Sequence, residues 1–206
     1  HFKAEILNDF IKAQNITNLI EFGVGDGNNL SLYKIRNYLG IDVSETILNT
    51  VREKFKNDSQ KKFLHSNLYQ HEKAELAISF DVIFHLIEDD VFNDYMCRLF
   101  DASSAFVIIY SSNRNSSYFY GTHVRHRKFT DWVEKNRKNF RLASFIKNRY
   151  PENINDPNNT SFSDFYIYTC LDNYKENKLH QIKYAIKSLL TKPKLLIKNL
   201  RSTSCK

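Results

Sequence analysis

The stretch "NLIEFGVGDGNNL", Asn18 to Leu30, decides the fold. An apolar run of strand type ends abruptly in three glycines at alternate positions, Gly23, Gly25 and Gly27, and polar residues suited to opening a helix follow. Four of the five glycines of the chain lie between Gly23 and Gly40, so backbone freedom is concentrated in one strand-turn-helix region. Glycine lets main chain approach a ligand closely and adopts positive φ without strain. A helix N-terminus behind it offers unpaired N–H groups to negative charge. The stretch therefore reads as a turn that grips a ligand. A dinucleotide fingerprint, G-x-G-x-x-G, would place its third glycine at Asn28, and Gly27 stands one position early, which argues against NAD.

Outward from this turn, apolar β-branched runs alternate with longer segments of helical period, the pattern of βα units around a mainly parallel sheet. Strands are expected at Leu19–Phe22, Tyr38–Ile41, Lys62–His65, Ala77–Phe84 and Ala105–Tyr110, and two more at Phe140–Ile146 and Phe162–Cys170. Helices are expected at Ile6–Ala13, Leu30–Arg36, Glu45–Phe55, Asp89–Phe100 and Thr130–Lys138. The fold class predicted is α/β, a Rossmann-like doubly wound and mostly parallel seven-stranded sheet with helices on both faces. Residues 1–170 complete the pattern as one domain, and residues 171–206 form a basic tail.

The chain has 206 residues and a net charge of +7, but the charge is unevenly placed. Residues 1–170 hold 21 basic and 21 acidic residues, whereas residues 171–206 hold nine and two, so 9 − 2 = 7 accounts for the whole excess. The body is neutral and the tail basic. Leu179, Ile182, Ile186 and Leu189 share a helix face in that tail, which could cover the domain itself, dock on a subunit, or lie on an anionic membrane surface. No 18-residue apolar run is present, and "HFKAEILNDF" lacks the basic and apolar regions of a secretory signal, so the expected location is cytoplasmic. Cys97, Cys170 and Cys205 are odd in number and widely spaced, the pattern of neither a disulfide framework nor a zinc site.

"IEFGVGDG" resembles the first motif of class I S-adenosylmethionine-dependent methyltransferases: an acid, then G-x-G-x-G, after the first strand. "YLGIDVS" supplies the acid expected at the end of the second strand, Asp42, nineteen positions beyond Gly23. A carboxylate there can accept hydrogen bonds from both ribose hydroxyls. "FLHSNL" and "FDVIFHLIEDD" are similar to the third- and fourth-strand motifs. The resemblance implies S-adenosyl-L-methionine as cofactor. It implies that Glu21 orients the loop and faces the methionine amino end, and that Gly23, Val24 and Gly25 pass beneath the cofactor. Asp42 takes the ribose, Val43 packs on adenine, Asn67 and Leu68 cap its edge, and the Phe84–Leu86 segment lies near the sulfonium. "DVIFHLIEDDVFNDYM", "VIIYSSN" and "HVRHRKFTDWVEKN" also resemble a bacterial subgroup associated with small-molecule or cell-surface glycan methylation.

The acceptor side is read from fewer residues. His85, expected beside the methyl group, is either the general base for a hydroxyl acceptor or an ordinary histidine bonded to backbone. The run Glu88, Asp89, Asp90 precedes an amphipathic pattern and reads as helix N-terminal charge, with no metal expected. No D/N-P-P-Y motif follows the fourth strand, which argues against methylation of base amino groups. Residues 111–128 carry Arg114, Arg125, Arg127 and Lys128 and no acid. His123, Arg125 and Arg127, with Tyr110, are the candidates for gripping an anionic acceptor, and Tyr118, Phe119 and Tyr120 for a lid. Solvated surface charge is the competing reading of the cluster. The expected partner is a small anionic or sugar-linked acceptor, such as a surface-polysaccharide precursor, and no nucleic acid. RNA methylation through the basic tail and a noncatalytic binding role are the alternatives.

Overall fold

A computed structural model describes residues 1–115 and 123–172. The lid candidates Tyr118–Tyr120 and the tail from residue 173 onward lie outside them. Seven strands form one sheet: β1 (Asn18–Phe22), β2 (Asn37–Asp42), β3 (Lys61–His65), β4 (Ala74–Phe80), β5 (Ser103–Ser111), β6 (Phe140–Ile146) and β7 (Asp164–Cys170). Their order is β3-β2-β1-β4-β5-β7-β6. Neighbours from β3 to β5 pair in parallel, and β7 runs antiparallel to both β5 and β6. The predicted α/β fold, doubly wound and mostly parallel, is the one observed.

Burial on both faces explains the near-continuous apolar runs of the central strands. On one face Leu19, Leu76, Ile78, Phe106 and Ile108 pack under α1 (Phe2–Gln14) and α2 (Glu45–Lys54). On the other, Ile20, Ala77, Val107 and Ile109 pack under α3 (Asp89–Asp101) and α4 (Phe129–Asn136), with Phe92, Met96, Leu99, Phe129 and Val133 as the helical contribution. Alternate residues of one strand thus enter opposite layers. Ser44 caps α2 by accepting from the Ile47 N–H at 3.3 Å, and α1 ends where Asn15 turns left-handed at φ 54°.

Two local expectations differ from the structure at the positions that shape the site. The helix expected at Leu30–Arg36 is a single 3-10 turn, Leu30–Leu32, after which Tyr33 is extended. The glycine turn therefore leads into no long helix, and a helix N-terminus supplies no anion grip here. The strand expected at Ala77–Phe84 stops at Phe80, because Asp81 adopts a left-handed backbone at φ 57°, and Ile83–His85 form a 3-10 turn. "DVIF" carries strand-type side chains, but this reversal overrides their propensity.

Candidate active site

The turn after β1 and the ends of β2 and β4 open together at the carboxyl edge of the parallel strands, where ligands bind in open α/β sheets. They enclose a cavity of about 490 Å³, within the usual size of a small-molecule site. Gly23, Gly25, Asp42, Val43 and Asn67 line one part of it, and Asp81, Val82, His85 and Leu86 another. Gly23 N–H donates to the Ile41 carbonyl at 2.7 Å, which closes the turn onto β2. Gly23 has φ 85°, and a Cβ there would stand 2.3 Å from Val82 Cγ2, so only glycine fits between β1 and the end of β4. A Cβ on Gly25, at φ 56°, would meet nothing within 4 Å. Its place is open cavity.

Asp42 braces this turn as well as facing the cavity. Its Oδ1 accepts from the Ser44 N–H at 3.0 Å and its Oδ2 from the Gly25 N–H at 3.4 Å. Beside it Val43 is 76% exposed and Leu68 61% exposed, apolar side chains on which a flat ring could stack. Leu68 stands outside the cavity wall, whereas Asn67 and Ser66 belong to it. His65, which sequence reasoning passed over, joins the two loops. Its Nδ1 accepts from the Asn67 N–H at 3.2 Å, which leaves the proton on Nε2 for the Val43 carbonyl at 2.9 Å.

Several residues expected in the site are core residues instead. Glu21 is 3% exposed and accepts hydrogen bonds from Tyr38 Oη at 2.6 Å and Tyr33 Oη at 3.3 Å. Burial outweighs these two donors and pushes its carboxyl up to about 7, and Lys3 opposes that rise. Val24 is buried in the layer beneath α1 and α2. Phe84 is buried against Phe162, at 5.0 Å between ring centroids. Tyr110 is buried too, with its hydroxyl accepting from Asn148 Nδ2 at 2.8 Å, and burial pushes that hydroxyl up to about 12. None of these four lines the cavity.

His85 does. Its Nδ1 lies 3.1 Å from the His123 carbonyl, which can only accept, so Nδ1 carries a proton and donates. His123 thus reaches the site through its main chain. The arginines after it have structural partners. Arg125 N–H donates to the Phe84 carbonyl at 2.8 Å, and its guanidinium reaches the Ile87 carbonyl at 2.7 Å and Asp89 Oδ1 at 3.0 Å. Arg127 donates to the carbonyls of Leu86 and Ile87 and to Asp89, and stacks 4.6 Å over Phe92. The pair of guanidiniums holds Asp89 below the usual carboxylate range. "HVRHRK" therefore clamps the turn that carries His85, and most of the arginine N–H groups meant for an acceptor are occupied by protein. Both arginines also border a second cavity, of about 560 Å³, between the start of α3 and α4.

Sequence reasoning also missed Tyr95, Arg98 and Asp81. Tyr95, read as helix core, reaches across to the Phe22 carbonyl at 3.0 Å and Ser79 Oγ at 2.7 Å and walls the cavity from α3. Arg98 ties α3 to the Ser66 carbonyl at 3.2 Å. Asp81 was in view as part of "FDVIFH", but its left-handed backbone was not. Among the described residues no group of three or more His, Cys, Asp or Glu side chains could hold a metal ion, and no helix is long and apolar enough to cross a membrane.

No protein-family model matches the chain, and no curated protein matches it in sequence. Solved structures match in fold. The N-methyltransferase NodS from Bradyrhizobium japonicum WM9, in complex with S-adenosyl-L-homocysteine, superposes with a TM-score of 0.64 at 10% identity, covering 81% of this chain and 84% of that one. Magnesium protoporphyrin IX methyltransferase ChlM from Synechocystis PCC 6803, with bound SAH, gives 0.63 at 15% identity over 82% of each chain. The methyltransferase domain of bacterial CtHen1-C gives 0.61 at 20% identity, over 82% of this chain and 96% of that one. The chain has the class I methyltransferase fold.

Proposed function

We propose that the chain is an S-adenosylmethionine-dependent methyltransferase acting on a small acceptor, a hydroxyl of a sugar-linked or anionic metabolite such as a precursor of a bacterial surface polysaccharide. The observation that carries the reading is one continuous cavity. It runs from the Gly23–Gly25 turn and Asp42 to His85, on a sheet whose structural neighbours include methyltransferases solved with S-adenosylhomocysteine. The residues fit the nucleoside. Gly25 leaves open the space a side chain would fill, Asp42 is a carboxylate suited to paired ribose hydroxyls, and Val43 offers exposed apolar surface.

The cofactor, when bound, supplies a methyl group already activated on a sulfonium. The task left to the chain is positioning and proton handling. His85, with Nδ1–H donating to the His123 carbonyl, has Nε2 as the ring atom that would take a proton from a hydroxyl. Arg125 and Arg127 fix the turn on which His85 stands. Phe22, Phe80, Val82 and Leu86 keep the surrounding wall largely apolar. An anionic acceptor draws support from Arg125, Arg127 and Lys128 around the second cavity, where it would compete with Asp89 and Asp131 for them.

Calorimetry with S-adenosylhomocysteine and NADH tests the cofactor. Binding of the first alone is expected, and tight NADH binding without S-adenosylhomocysteine binding would overturn the reading. Acceptor-dependent formation of S-adenosylhomocysteine from candidate sugar-linked metabolites then tests the acceptor class.

A further inference from the structure

Arg125 and Arg127 hold two kinds of partner. Toward the protein, Arg125 donates to the Ile87 carbonyl at 2.7 Å and Arg127 to the carbonyls of Leu86 and Ile87, with the Arg127 guanidinium 4.6 Å over Phe92. These contacts fix where each guanidinium points. On the wall of the second cavity, further N–H groups of both arginines converge on one carboxylate, Asp89. Arg125 Nη1 and Nη2 stand 3.0 and 3.2 Å from its oxygens, and Arg127 Nη2 and Nε stand 3.0 and 3.2 Å from Oδ1. Four nitrogens aimed at one carboxylate make a preorganised oxyanion site.

The occupant of that site is its exchangeable part. The Asp89 side chain is 67% exposed, whereas Arg127 is 14% and Arg125 34% exposed. An exposed carboxylate that turns out into water gives up little, because surface ion pairs contribute marginally to stability. The guanidiniums stay behind, held by the carbonyls. A second pair on the same wall is built alike: Lys128 Nζ stands 2.8 Å from Asp131 Oδ1, and both side chains are about half exposed. With both carboxylates turned aside, a cavity of about 560 Å³ presents three cations.

Charge decides which anion can take the fork from Asp89. A free carboxylate offers the same two oxygens and single charge as Asp89, and it loses to a group tethered beside the fork at high effective concentration. A phosphate monoester carries about −1.5 to −2 charges at neutral pH and three strong acceptor oxygens, so it improves on the contacts that a carboxylate only matches. We propose that the second cavity is a phosphate-monoester subsite of the acceptor, and that Asp89 is its resident occupant, displaced when the phosphate binds. The inference rests on the acceptor reading above and narrows it from an anionic to a phosphorylated acceptor. The two cavities share the His85 turn: Leu86 lines the cofactor cavity, and Arg127, on the wall of the second, donates to the Leu86 carbonyl.

The test is calorimetry with inorganic phosphate, and with acetate as the carboxylate control, at neutral pH and fixed ionic strength. It is run on the unaltered chain, on Asp89→Asn, and on the double variant Asp89→Asn, Arg125→Ala. Phosphate is expected to bind the unaltered chain more tightly than acetate does. Asp89→Asn removes the competing charge and is expected to tighten phosphate about 10- to 100-fold, the scale of a charged hydrogen bond, and the double variant to lose that gain. Cooperative thermal unfolding reports that each variant is folded, and a midpoint raised by phosphate in Asp89→Asn is a second measure of binding. Arg127→Lys, which keeps the charge and loses the fork, takes the place of Arg125→Ala if that double variant does not fold. Phosphate affinity unchanged by Asp89→Asn, a gain that survives the loss of the arginine fork, or equal affinity of the unaltered chain for phosphate and acetate would each overturn the proposal. Its failure is separable from that of the cofactor reading, which S-adenosylhomocysteine binding decides independently.

Discussion

Replacing Glu21 by Gln tests the account of the buried core acid. In the folded chain its carboxyl is surrounded by apolar layers and two tyrosine hydroxyls, and burial carries it from an ordinary 4.5 to about 7. Such a group favours the fold while it is neutral. Its contribution is complete below about pH 4.5 and is lost as pH rises through about 7, because the unfolded chain ionises first. The difference corresponds to about 3 kcal/mol, since each pH unit of separation is worth 1.36 kcal/mol. Glutamine keeps an acceptor for Tyr38 and never ionises. Chemical denaturation of both chains at pH 5 and pH 8 should therefore show the stability difference moving by about 3 kcal/mol toward the variant at the higher pH. Comparing two chains cancels the titration of every other group. A difference that stays constant between the two pH values would refute the claim that burial dominates over the Tyr33 and Tyr38 donors.

Further outcomes follow from the same geometry. Asp42→Ala should weaken S-adenosylhomocysteine binding by about 1 to 3 kcal/mol in calorimetry, through lost ribose contacts and a looser Gly25 turn. His85→Ala should lower turnover of a hydroxyl acceptor about 10²- to 10⁴-fold with S-adenosylhomocysteine affinity retained, whereas an already anionic nucleophile would tolerate the change. Arg127→Ala should cost about 1 to 3 kcal/mol of stability in thermal or chemical unfolding, because the Leu86 carbonyl loses its Arg127 donor and the Ile87 carbonyl keeps only Arg125. Arg127→Lys should recover only part of that, lacking the planar fork. If acceptor affinity falls in the Arg125→Ala, Arg127→Ala double variant while stability holds, these arginines serve the acceptor and not the turn.

Much of the architecture was legible because its signals are local. The apolar runs at Asn18–Phe22 and Phe140–Ile146 and the helical period of Glu45–Lys54 and Asp89–Asp101 each report which side chains must be buried, and seven strands follow from them. The misses have local causes too. Leu30–Arg36 has helical composition, but tertiary contacts with Asn8 intervene: Asn8 accepts from the Lys34 N–H at 2.7 Å and donates to the Leu32 carbonyl at 2.8 Å, which holds the segment after the 3-10 turn in extended form. "SFDVIF" has continuous strand propensity, and nothing in its composition announces the reversal at Asp81.

The sequence by itself determined the parallel α/β order, the glycine turn and the acid at Asp42, because spacing along the chain is enough to place residues on successive strand ends of one sheet. Only the tertiary structure decided which charged side chains are available to a ligand. Glu21 meets Tyr33 and Tyr38, and Arg125 and Arg127 meet Asp89, 36 and 38 residues earlier in the chain. Lys3 meets Asp81, 78 positions away. A charge in a sequence carries no record of its partner. Whether it is neutralised by the protein or left for a ligand depends on contacts through space, and those exist only once the sheet has closed its neighbours around it.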